Sequence, residues 1–100
     1  MTVDIKELDD KTVVTVTGEL DTPTSEEFQK QLDPLMDREG LKVEMDLAGV
    51  TYISSRGLRV ILALAQSIMP TGGRLTVVNP TPFVRQVFDI SGFSTLFVVQ

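Results

Sequence analysis

The first twenty residues alternate. In "TVDIKEL" and "KTVVTVTG" apolar side chains recur at nearly every second position on either side of Asp9 and Asp10, which predicts a hairpin of two strands. The next stretch, "ELDTPTSEEFQKQLDPLMDREG", changes period. Phe28, Leu32, Leu35 and Met36 fall at i, i+4, i+7 and i+8, one face of a helix. Thr24 followed three residues later by Glu27 has the form of a capping box, and Glu26 and Glu27 suit the positive end of a helix dipole. Pro34 cannot donate to the carbonyl of Lys30, so a kink or a restart is expected there, and Gly40 is the expected stop.

Alternation returns in "LKVEMDL". Leu41, Val43, Met45 and Leu47 share one side, and Lys42, Glu44 and Asp46 the other, which predicts a strand with one face exposed. From Leu58 to Met69 the run "LRVILALAQSIM" is apolar over most of its circumference and is expected to be the most buried helix, ended by "PTGG". "RLTVVN" reads as a fourth strand, "TPFVRQVFDI" as a short helix with Pro82 near its start, and "STLFVV" as a last strand. The order β-β-α-β-α-β-α-β implies right-handed crossovers. The fold expected is α/β: a mixed, mostly parallel sheet of four to five strands, an antiparallel N-terminal edge, and helices mainly on one face. Residues 1–100 are expected to form a single domain.

Composition removes most chemistries. There is no Cys, which excludes disulfides, thiolate nucleophiles and sulfur-ligated metals, and no His, the commonest general base. Apolar residues make up 42% of the chain and charged ones 23%, enough for a core and against disorder. The net charge of −5 argues against nucleic-acid binding. No run of about 18 uncharged apolar residues is present, so no membrane insertion is expected. The acidic, alternating start is unlike a signal peptide, which points to the cytoplasm. No cofactor, metal site or enzymatic activity is expected. Glu19 and Asp21 flank Leu20; a carboxylate pair does acid–base work only beside further catalytic groups, and the plain reading has Asp21 capping a helix or turn. Phe83, Val84, Val87 and Phe88 are expected in the core, with Arg85 exposed.

One stretch, "VTYISSRGLRV", holds polar chemistry between a strand and the apolar helix. Its single glycine does not make a phosphate-binding loop of the known glycine-rich types, and neither serine has a His or a Ser-x-x-Lys partner to activate it. Ser54 is placed to cap the helix by accepting from a first-turn N–H. A cap explains one hydroxyl. Ser55 then falls at the first helical position and points outward, either as an ordinary surface residue or as a modification site. A phosphate there would meet free N–H groups and the positive dipole end, with Arg56 and Arg59 at hand.

"DLAGVTYISSRGLRVIL" resembles the signature of STAS domains, in particular the small bacterial anti-sigma-factor antagonists. "TGELD" at 17–21 and "GGRLTVVNP" at 72–80 extend the similarity over nearly the whole chain. Anchored on Gly57 and Leu58, the family's phosphorylated serine falls on Ser55. The resemblance implies a binding protein that, unphosphorylated, engages an anti-sigma factor that is also a serine protein kinase, and so frees a sigma factor. Phosphorylation of Ser55 by that kinase ends the interaction, and a PP2C-type phosphatase restores it. The partner-binding surface implied comprises Asp21, Thr22, Ser54, Ser55, Arg56 and Arg59. Asp21 is expected beside Ser55, holding partner groups or the kinase's magnesium. The alternative is a STAS subunit of a membrane transport assembly without a phosphorylation cycle.

Overall fold

The computed structural model describes residues 1–100. Strands β1 (Thr2–Glu7), β2 (Thr12–Leu20), β3 (Lys42–Ile53), β4 (Arg74–Val78) and β5 (Val98–Val99) form one sheet in the order β1-β2-β3-β4-β5. Helices α1 (Thr22–Met36), α2 (Ser55–Ile68) and α3 (Pro82–Ser91) connect the parallel strands. Only the β1–β2 hairpin pairs antiparallel. This is the α/β architecture that the alternating periodicities imply, with five strands.

Register explains the layering. Ile5, Val14, Met45, Val77 and Val99 form one row across all five strands, and Thr12, Val43 and Leu75 form another. Both rows belong to the face the helices cover, and the central positions are fully or almost fully buried. The intervening positions Val13, Glu44 and Thr76 make a row on the other face, and each keeps part of its surface in water. One face of the sheet is therefore core and one is open. Helix α2 contributes most to that core, with Gly57, Leu58, Val60, Ile61, Leu64, Ala65 and Ile68 buried. Each fully buried Leu or Ile contributes roughly 1.5–3 kcal/mol.

Several elements differ from their expected bounds. Strand β3 runs six residues past Leu47, because two irregularities in its pairing with β2, between Thr15 and Thr17 and between Gly18 and Glu19, each place an extra residue on β3. Its buried positions accordingly step from a spacing of two (Val43, Met45, Leu47) to a spacing of three (Val50, Ile53). Such bulges bend a strand and re-aim its end. Helix α1 begins at Thr22, so the expected Thr24–Glu27 capping box does not form. Asp21 is the N-cap, accepting from the Thr24 N–H at 3.0 Å, and Glu26 and Glu27 lie beyond the first turn. The helix neither stops nor restarts at Pro34, which lies two residues before its end, where one carbonyl alone loses its donor. Asp37 is the C-cap, and Gly40, at φ 65°, instead turns the chain into β3. The last strand is only Val98–Val99, since Phe93–Thr95 closes into a 3-10 turn behind the left-handed Gly92. Phe83 is 46% exposed and is not in the core, whereas Val84 and Phe88 are buried and Val87 is half-buried.

Candidate functional site

Two helices start side by side at one end of the sheet. Leu20 and Ile53, the last residues of β2 and β3, are register partners, so the chain leaves both strands at the same level and enters α1 and α2 respectively. The Ser54 N–H donates to the Leu20 carbonyl at 2.8 Å, tying the start of α2 to the end of β2. Packing there is close. A Cβ on Gly57 would sit 3.1 Å from the Leu20 Cβ, the Leu20 carbonyl oxygen and the Ile53 Cγ1. Glycine is what allows the first turn of α2 to lie this near the strand ends.

Ser54 is the N-cap of α2. Its backbone is extended (φ −87°, ψ 168°), and its hydroxyl accepts from the Gly57 N–H at 3.2 Å. Ser55 is the first helical residue and is exposed. The two adjacent hydroxyls thus have different surroundings, one spent on the helix terminus and one at the surface. On the neighbouring helix Asp21 caps the α1 terminus. Its carboxylate takes both the Thr24 N–H at 3.0 Å and the Thr24 hydroxyl at 2.9 Å, and these bonds hold its pKa below the ordinary carboxylate value. The Ser25 hydroxyl donates to the Asp21 carbonyl at 2.6 Å, and the Glu19 carbonyl, 2.9 Å from the Thr24 hydroxyl, shares that hydroxyl's single proton with the Asp21 carboxylate. The "TGELD" stretch is therefore a fixed platform. Thr22 is exposed at its edge.

Arg56 and Arg59 are exposed and belong to no ion pair. They line an open cleft of about 420 Å³ between α1 and α2, together with Ser25, Glu26 and Gln29. The structure thus brings Asp21, Thr22, Ser54 and Ser55 to one end of the sheet. The two arginines sit along the α1–α2 cleft, whose lining does not include Asp21. On the other flank, Tyr52, next to the last residue of β3, stacks on Phe83 of α3 with ring centroids 5.8 Å apart, and both rings are nearly half exposed. Sequence reasoning missed this aromatic pair. The bulges in β3 had hidden which of its late residues face outward. No cluster of carboxylates is placed to hold a metal ion, and no helix is long and apolar enough to cross a membrane.

The chain is similar to known proteins over nearly its whole length. The STAS domain family model matches residues 2–100. The Bordetella bronchiseptica protein BtrV, whose name provisionally assigns it to the anti-sigma factor antagonists, is 32% identical over 99% of this chain and 85% of its own length. A Thermotoga maritima protein described in the same provisional terms superposes with a TM-score of 0.87 at 23% identity, covering 97% of this chain and 84% of that one. The anti-sigma factor antagonist SpoIIAA, in its unphosphorylated form, gives a TM-score of 0.82 at 20% identity over 99% of this chain and 88% of its own. Its phosphorylated form gives 0.75 at 20% identity, over 99% and 91%. The chain belongs to the STAS domain family.

Proposed function

We propose that this protein is an anti-sigma-factor antagonist of the bacterial cytoplasm, switched by phosphorylation of Ser55. Unmodified, it binds an anti-sigma factor that is also a serine protein kinase, through Asp21, Thr22, Ser54, Ser55, Arg56 and Arg59. It thereby releases a sigma factor. Phosphorylation by the bound kinase ends the interaction, and a PP2C-type phosphatase reverses it. The observation that carries this reading is the division of labour between two adjacent serines. Ser54 closes the helix terminus, while Ser55 stands exposed beside the α1 platform.

A phosphate on Ser55 adds roughly −1.5 to −2 charges at neutral pH. At a helix N-terminus that charge is tolerated by the fold, because the dipole and free N–H groups favour it. Against a partner surface shaped for a hydroxyl the same charge is desolvated without a counter-ion from the partner, which costs several kcal/mol. One modification therefore abolishes binding and leaves the fold intact. The names of the relatives support the reading, and SpoIIAA is described in both unphosphorylated and phosphorylated forms. The test is incubation with candidate kinase–anti-sigma proteins and ATP, followed by intact-mass analysis. Addition of one phosphoryl group, absent in Ser55→Ala, is the expected result. Modification elsewhere, or none with any cognate kinase, would remove the switch and favour a STAS subunit of a transport assembly.

A further inference from the structure

The two edges of the sheet differ. Strand β5 offers two residues, whereas β1 offers six, and β1 bonds to β2 alone. Its outer N–H and C=O groups thus form an uncovered template for another strand. Proteins blunt such edges with proline, bulges or charge. Strand β1 contains no proline, and its pairing with β2 is continuous from Thr2 to Glu7. Its charges are of both signs. Asp4 and Lys6 share the open face of the sheet, opposite Thr15 and Val13, and neither is in an ion pair within the chain. Ile5 lies between them on the helix-covered face, in register with Val14, and is still 36% exposed.

We propose that β1 is a self-association edge, pairing antiparallel with β1 of a second copy of this chain about a two-fold axis through Ile5. Two copies in one sheet keep each side chain on its own face, so directly opposed residues must be of like facing. That leaves three central registers. Centring on Asp4 sets that carboxylate against its own copy, and centring on Lys6 sets two ammonium groups together. Like charges directly opposite are destabilising. Centring on Ile5 places Asp4 opposite Lys6 of the second copy, twice by symmetry, and covers the two exposed isoleucines with each other. Val3 then faces Glu7 of the second copy, whose carboxylate remains paired with Arg38 and Thr12 of its own chain. The charge pattern of the edge selects one register.

The dimer so formed is a continuous ten-stranded sheet. The two-fold axis reverses strand direction, so the two Ser55 surfaces lie at opposite ends and both stay free. Edge pairing over six residues buries far less than the roughly 800 Å² per partner of a standard stable interface. The association is therefore weak and concentration-dependent.

Sedimentation velocity at low salt, over a concentration series reaching the millimolar range, tests this on the purified chain. The wild type is expected to show a reversible monomer–dimer equilibrium. Lys6→Asp and Asp4→Lys are each expected to weaken it about tenfold or more, and the double swap Asp4→Lys with Lys6→Asp to restore it. Circular dichroism reports whether each variant is folded, and Lys6→Gln and Asp4→Asn replace any that is not, with a smaller weakening expected. A wild type monomeric throughout, single variants that dimerise as well as the wild type, or a double swap no stronger than the singles would each overturn the proposal.

Discussion

Ser54 and Ser55 are chemically identical neighbours that the backbone separates. The extended Ser54 aims its oxygen at the Gly57 N–H, while Ser55 has already entered the helix. Ser54→Ala is expected to cost about 1 kcal/mol through the lost cap, and Ser55→Ala close to nothing, as measured by urea unfolding. A larger loss for Ser55→Ala would reverse the roles. Gly57→Ala is expected to destabilise by about 1–2 kcal/mol. Its methyl meets a Leu20 carbonyl that the Ser54 N–H holds in place, and the strain outweighs the roughly 1 kcal/mol that alanine gains in a helix. Acid should reveal the second cap. The folded pKa values of Asp21 and Glu7 are lowered, the first by the Thr24 hydrogen bonds and the second by the hydrogen bond from Arg38. A depressed carboxylate contributes stability that is present above its unfolded pKa and lost as pH falls through the folded one. The difference in unfolding midpoint between wild type and Asp21→Ala is therefore expected to narrow on going from neutral pH to about pH 3. A gap that stays constant would mean the carboxylate charge contributes nothing there.

At the scale of elements, the misread boundaries have specific causes. Alternation along β3 ends at Leu47 in the sequence because the two bulges reset its phase, so a period of two cannot find Val50 and Ile53. The start of α1 offered two capping residues, Asp21 and Thr24. Asp21 prevails because Thr22 and Pro23 are compatible with the first turn, where a missing N–H costs nothing. Pro34 is the converse case, since the face of Phe28, Leu32 and Leu35 carries the helix past it. Pro34→Ala is accordingly expected to raise stability by about 1 kcal/mol, restoring a donor to the Lys30 carbonyl. Thermal melts that show no gain would indicate that the proline is accommodated there at no cost. The buried faces of α2, of β4 and of β3 up to Leu47 were legible, because their periods are unbroken there and their residues are apolar.

At the scale of the molecule, what matters is that paired strand ends launch two capped helices from one level. The serine loop and its resemblance to STAS signatures were visible in the sequence, and so was the cap. The placement of Asp21 and the serines just past the paired ends of β2 and β3, and the exposed stack of Tyr52 on Phe83, come from long-range register that no local pattern encodes. The exposed Ser55 hydroxyl sits at a positive helix end, so charge at Ser55 is expected to act on binding and not on folding. The most direct measurement is calorimetric titration of Ser55→Glu against the cognate kinase, beside thermal melts of the variant. The carboxylate at the dipole end is neutral to stabilising by roughly 0.3–1 kcal/mol, and exposed pairing with Arg56 or Arg59 adds about 0–1 kcal/mol. Burying it unpaired in the interface costs several kcal/mol, enough to take a micromolar complex below detection. Melts matching the wild type together with no heat of binding are the expected result. A Ser55→Glu variant that binds as tightly as the wild type would contradict the switch.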